Sequence, residues 1–251
     1  MKFHLVVPAG VPSRATLPSF ITDVRPADLG FEPRQAARTA ELAGLDGVLV
    51  PFDPAGLDPL VLAATLLRET TSVQVTAEFH PAIATPVYAA KLSASLQRFT
   101  ASRLAWRLAV DLDPAVARSQ GDFVTGQDRY ARAAEFLSTA KDIWTKTAVS
   151  KSGRFYQVLD GGLPASPGVS RQFPRVYLSG TSPEALALSA AHADVHVLSA
   201  GDDPDLVPPG VGRAVLLPDL RLVDEYAAQG VSEFFVASAD AFAIREVAGV
   251  G

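Results

Sequence analysis

Arg175-Val-Tyr-Leu-Ser-Gly-Thr-Ser-Pro-Glu-Ala-Leu-Ala-Leu188 is the stretch on which the reading of the fold depends. Its β-favouring run, Val176 to Leu178, stops at Ser179-Gly-Thr-Ser182, and an Ala/Leu-rich segment of helical character follows Pro183. The order is strand, small-residue turn, helix start. Ser182 suits the N-cap, and Pro183 the first helical position, where its missing N–H would be unpaired in any case. Glu184 suits the positive end of the helix dipole. Backbone amides without helical partners, nearby hydroxyls and a glycine that admits a close neighbour together describe an anion seat, above all for a phosphate. The same residues also describe an ordinary capped turn, and both readings stand on these residues alone.

The unit recurs outward in both directions. Short, almost continuous apolar runs fall at residues 3–7, 47–51, 73–79, 103–110, 176–178, 195–198, 213–217 and 234–237. Helical patterns lie between them: Ala36, Ala40 and Ala43 up to the stop at Gly44; Leu60 to Leu67 behind the cap Asp58; Ala89 to Leu96 behind Thr85-Pro86; a long stripe from Tyr130 to Trp144; then 219–229 and 241–248. Such strands, separated by helical crossovers, imply a parallel sheet covered on both faces, and eight units close into a (β/α)8 TIM barrel. The segment 199–212 is rich in Pro, Gly and Asp, so the helix after strand six is expected to be reduced or lost. Residues 146–173 read as a hairpin or irregular excursion, 112–129 as a loop, and the stretch after the first strand to Glu32 as a long loop. No Gly-x-Gly-x-x-Gly follows the first strand, which leaves a Rossmann fold without support.

With 251 residues, 48% hydrophobic and 20% charged, the chain has the usual size of one α/β barrel, and a single domain over 1–251 is expected. A net charge of −5 argues against broad nucleic-acid binding. The absence of cysteine excludes disulfides, thiolate nucleophiles, iron–sulfur clusters and Cys-type zinc sites. No apolar run is long enough to span a bilayer and the N-terminal run is too short for a signal peptide, so a cytoplasmic location is expected. Neither a nucleophile elbow nor a Walker lysine is present.

In a barrel of this kind the active face lies just beyond the strand ends. The candidates there are Gly10, Phe52, Asp53, Glu78, His80, Asp111, Asp113, Ser179 to Ser182, Ser199, Asp202, Ser238 and Asp240. Glu78 and His80 share a face if the strand is still extended at that point, as an acid/base or metal pair would; alternatively His80 simply caps the strand before Pro81. His4, inside the first strand, points to a polar layer or toward the helices. Trp106 and Trp144 read as core.

Several segments resemble the bacterial luciferase-like flavin monooxygenases, and among them the alkanesulfonate monooxygenase branch. They are Ala40-Glu-Leu-Ala-Gly-Leu-Asp-Gly-Val-Leu-Val-Pro51, the run from Pro86 to Arg103, Asp128-Arg-Tyr130, Arg154-Phe-Tyr-Gln-Val158 and Pro174 to Ser182. The resemblance implies a barrel that takes reduced FMN from a separate flavin reductase and oxidises a small organic substrate with oxygen. It implies a homodimer, or a heterodimer with a homologue. By position, Ser179, Gly180, Thr181 and Ser182 would hold the FMN phosphate with help from Tyr130. Glu78, His80 and Asp111 would lie beside the ring, with His80 a weak catalytic candidate and no metal. A non-catalytic flavin carrier or partner subunit, and a deazaflavin-dependent reductase, are the alternatives. The chain departs from the sulfonate branch at Gly10, Gly56, Gly126 and Asp240, in the pattern Arg107 to Asp111, and in lacking a long insertion after strand six. A carboxylate at 111 would repel an FMN phosphate.

Overall fold

The computed structural model describes residues 1–10, 30–163, 172–237 and 240–249. Most of the long loop before Glu32, and the candidate Ser238, therefore lie outside the described residues. The first four strands of the ring are β1 (Lys2–Val6), β2 (Gly47–Val50), β3 (Gln74–Phe79) and β4 (Leu104–Leu108). A separate antiparallel hairpin follows, β5 (Val149–Ser152) and β6 (Gln157–Gly161), as the excursion at 146–173 suggested. Then come β7 (Arg175–Ser179), β8 (Val195–Ser199), β9 (Gly212–Leu217) and β10 (Glu233–Val236). These eight barrel strands pair in parallel, and β10 pairs with β1 to close the ring. The expected (β/α)8 architecture is the one observed.

The crossovers are α1 (Phe31–Leu42), α2 (Pro59–Glu69), α3 (Pro86–Phe99), α4 (Pro114–Ser119), α5 (Asp128–Thr145), α6 (Pro183–His192), α7 (Val223–Ala228) and α8 (Ala241–Ala248). Their starts follow local chemistry. Asp58 accepts from the amides of Leu60 and Val61, Thr85 from that of Tyr88, and Ser182 from that of Ala185, each just ahead of a proline. Between β8 and β9 only a 3-10 turn, Pro204–Leu206, remains, so the sixth helix is indeed lost.

Two expectations need correction. Residues 112–129 are not all loop: Asp113 accepts from the amides of Ala115 and Val116 and starts α4, a helix too short to show an apolar stripe. The segment 219–229 is not one helix either. Asp219 caps a 3-10 turn, Leu220–Leu222, and α7 begins only at Val223.

Strand alternation divides the core in two. Outward residues such as Val48, Val75, Phe79, Trp106, Val176 and Phe234 pack under the helices, and Trp106, fully buried, donates its indole N–H to Ser93 Oγ at 2.9 Å. Inward residues Leu49, Ala105, Tyr177, Val195, Val197, Ala214 and Phe235 fill the barrel. A barrel of eight strands is just wide enough for such side chains to fill.

The N-terminal end of the barrel is closed by charge. Glu233 meets Arg175 at 2.5 Å and Lys2 and His4 at 3.6 Å, and it accepts the Tyr177 hydroxyl at 3.0 Å. Burial alone would raise the pKa of Glu233, but the facing His4, Arg175 and Lys2 outweigh it and pull it down to about 2. His4 stacks on Phe235 with ring centroids 4.6 Å apart, in the polar inner layer that was one of its two expected surroundings.

Candidate functional site

The opposite, C-terminal end of the strands gathers the predicted residues into two groups. The first is at the turn after β7. Gly180 has φ +109°, a backbone conformation that L side chains rarely adopt. Ser182 Oγ caps the amide of Ala185 at 3.2 Å and donates its own proton to Tyr130 Oη at 3.1 Å. The Tyr130 hydroxyl in turn donates to Asp111 Oδ1 at 2.6 Å, and the Arg129 guanidinium stands 3.4 Å from the same oxygen. Burial and the Asp111 carboxylate together raise the pKa of the Tyr130 phenol, so it remains a donor at neutral pH. The other carboxylate oxygen, Asp111 Oδ2, lies 2.8 Å from where a Cβ on Gly180 would stand. Asp111, Tyr130, Gly180 and Ser182, drawn from three separate segments, are thus one connected cluster. Thr181 is exposed and Ser179 half-buried beside it.

The second group lines the rim of the barrel. Arg107, which reaches into the barrel from β4, pairs with Glu78 Oε1 at 3.2 Å, and Glu78 Oε2 accepts the amide of Phe52 at 3.1 Å. Arg107 is 9% exposed, and among the described residues its Nε has no hydrogen-bond partner.

His80 does not join Glu78. β3 ends at Phe79, the alternation ends with it, and the His80 ring turns away under α5. Its Nδ1 lies 2.7 Å from Ala109 O and its Nε2 lies 2.6 Å from Asp122 Oδ2. Arg132 grips both oxygens of Asp122 at 2.6 Å. The Arg132 hydrogen bonds hold the Asp122 carboxyl well below the usual range, and the contacts from Val124 and His80 add to this. The shared-face reading of Glu78 and His80 is therefore corrected: the first faces the rim, and the second is enclosed in a clamp that fixes the start of α5, and with it Arg129 and Tyr130.

Other post-strand carboxylates serve the backbone locally. Asp53 accepts from Ala55, Asp113 from Ala115 and Val116, Asp202 from Ser199 and Asp240 from Phe242. The hairpin segment Arg154 to Tyr156 is tied to α5, since Glu135 accepts three of its amides and Asp128 takes the Arg154 guanidinium at 2.6 and 2.7 Å. Arg107 entered the sequence reading only as a departure from a family pattern, and Asp122 and Arg132 were missed altogether. These last two lie in a polar loop and on a helix, and only folding brings them to His80, 42 and 52 positions away.

A parallel barrel with polar groups collected at the C-terminal ends of its strands is the architecture of an enzyme scaffold. The family model described as luciferase-like monooxygenase matches residues 1–207, and the chain belongs to that family. Solved structures agree in fold. EDTA monooxygenase from Chelativorans sp. BNC1 is 21% identical with a TM-score of 0.63, over 91% of this chain and 66% of that one. Long-chain alkane monooxygenase is 18% identical with a TM-score of 0.63, over 80% and 60%. An F420-dependent secondary alcohol dehydrogenase is 16% identical with a TM-score of 0.62, over 100% and 82%. The chain spans under two thirds of the length of the two monooxygenases. Among the described residues no helix is long and apolar enough to cross a membrane.

The residues present fit the two parts of an FMN unequally. At the rim, a guanidinium with an unpartnered buried N–H suits the electron-rich pyrimidine edge of a flavin ring. At the turn, hydroxyls and a glycine cradle suit a phosphate in kind, but Asp111 already fills that cradle. Two unit charges 4 Å apart repel by about 1 kcal/mol even in bulk water, and a phosphate monoester carries close to two. As arranged, the turn does not fit a phosphate dianion.

Proposed function

We propose that the chain is a flavin-dependent monooxygenase that takes reduced flavin from a separate flavin reductase and oxidises a small organic substrate with dioxygen. The observation that carries this reading is the family match over residues 1–207, laid on a closed barrel whose rim presents Arg107 beside Glu78. Reduced flavin would supply the electrons for oxygen activation. The chain's own part is to orient the ring at the rim and exclude water. Arg107 would face the ring, Glu78 would brace Arg107 and the Phe52 backbone, and His80 would act only by holding the surrounding backbone in place. FMN is the flavin the resemblance implies, and a sulfonate is disfavoured as substrate because Arg107 is already paired. A homodimer or a heterodimer with a homologue completes the proposal. A deazaflavin is the competing cofactor, since proteins of similar fold include one whose name carries F420.

Titration of the purified protein with oxidised and anaerobically reduced flavin, and with a deazaflavin, tests this. Micromolar binding of reduced flavin and oxygen uptake above that of free flavin are expected. Binding of none of them at high micromolar concentration would sink the proposal. Arg107→Met is expected to weaken binding of the reduced, anionic ring by about tenfold and of the oxidised ring by less, because only the former carries charge for the guanidinium to meet. An equal loss for both would place the ring elsewhere.

A further inference from the structure

We propose that the Asp111 carboxylate is a built-in occupant of the turn after β7, closing it to phosphate esters and making the chain select a flavin whose side chain ends in a free hydroxyl. The second half rests on the flavin reading above; the first half does not.

Three observations converge. Asp111 Oδ2 stands 2.8 Å from the position a Cβ on Gly180 would take, so the hollow opened by the glycine is filled by this carboxylate. Two of the hydroxyls that could bind a phosphate are committed in sequence: Ser182 donates to Tyr130, and Tyr130 donates to Asp111. Arg129 is directed at Asp111 Oδ1, 3.4 Å away, and its charge is thereby met. The cluster resembles a phosphate seat already satisfied from within. An ionised carboxylate is purely an acceptor with about four lone-pair sites, so what it still takes from a ligand is a donor. A phosphate dianion offers only acceptors and negative charge. A terminal hydroxyl of a sugar-alcohol chain offers the proton that Oδ2 can accept, and the Asp111 side chain, 42% exposed, is open to it.

The test compares FMN with riboflavin, which differ only in the terminal phosphate, by flavin fluorescence quenching on wild-type protein, Asp111→Asn and Asp111→Ala. Inorganic phosphate is titrated in parallel at constant ionic strength and followed by thermal unfolding. Wild type is expected to bind riboflavin at least as tightly as FMN, and both variants are expected to move the ratio toward FMN by tenfold or more. Phosphate should raise the melting temperature of the variants and leave wild type unmoved. A wild-type preference of tenfold or more for FMN overturns the proposal without recourse to the variants, and so does an unchanged ratio in both. Should wild type bind neither flavin, the flavin reading falls and the proposal of a closed seat is decided by phosphate alone. Protection of the variants only would uphold it, and equal protection, or none, would refute it.

Discussion

Asp122→Ala is expected to destabilise the protein by about 3–5 kcal/mol, the range for removing one member of a buried ion pair. The Asp122 side chain is 1% exposed and Arg132's is 8%, so the change strands a guanidinium with little access to water. His80, 1% exposed, loses its partner at Nε2 in the same step. Equilibrium unfolding in denaturant measures the cost, and a loss below 1 kcal/mol would show that the clamp relaxes. Replacing both partners by apolar residues of similar volume, Asp122→Leu with Arg132→Met, is expected to restore much of the loss, because no unpaired charge remains. The pH dependence follows from the direction of the shift. Asp122 is held below its ordinary value of about 3.9, so its contribution is fully present above about pH 4 and is lost as the pH falls toward the lowered value. Glu233, pulled to about 2, adds a second loss between about pH 4.5 and 2. Asp122→Asn is therefore expected to lower stability at neutral pH and to flatten its decline in acid. Arg132 lies two residues beyond Tyr130 on α5, so the clamp and the Tyr130–Asp111 bond hold the same first turns of that helix.

The barrel was legible because parallel strands buried on both faces appear as unbroken apolar runs, and because prolines behind Asp58, Thr85 and Ser182 mark helix starts. α4 carries the same signal at Asp113-Pro114, but six residues hold too few apolar positions to repeat. The strand ends also placed the candidates at one end of the barrel, and Asp111, Tyr130, Gly180 and Ser182 do converge there. Their relations were not legible. Asp111 reaches Tyr130 across 19 residues and Tyr130 reaches Ser182 across 52, and no local pattern encodes that a carboxylate rather than a ligand fills the cradle over Gly180. Glu78 and His80 illustrate the limit of periodicity: two positions apart means one face only while the backbone stays extended, and β3 stops between them. Carboxylates at Asp53, Asp113, Asp202 and Asp240 looked catalytic by position, yet each is bonded to an amide within three residues. A strand that leaves the sheet frees N–H groups that a nearby acidic side chain satisfies.

Gly47→Ala is expected to cost about 3 kcal/mol, though it adds a single methyl group far from the rim. Gly47 starts β2 between His4 of β1 and Gln74 of β3, and a Cβ there would stand 2.5 Å from His4 Nδ1 and 2.7 Å from the Gln74 carbonyl oxygen. Neither neighbour yields cheaply. The His4 ring is stacked on Phe235 and faces Glu233, and the carbonyl belongs to the barrel wall. Overpacking a filled core typically costs 1–3 kcal/mol, and a backbone clash belongs at the upper end of that range. For a chain of this size each 1 kcal/mol lowers the melting temperature by about 2–4 °C, so a fall of roughly 6–12 °C is expected. The two clashes separate in a double-mutant cycle. In a His4→Ala background the methyl group gains the space of the ring and meets only the carbonyl, so the added cost of Gly47→Ala should drop by about half. An unchanged cost would assign the whole penalty to the Gln74 backbone. A cost within about 0.5 kcal/mol in the wild-type background would mean that β1 and β3 yield readily around Gly47. Because this layer lies at the opposite end of the barrel from Asp111, the ratio of riboflavin to FMN affinity should be the same in Gly47→Ala as in wild type, which separates loss of fold from loss of selectivity.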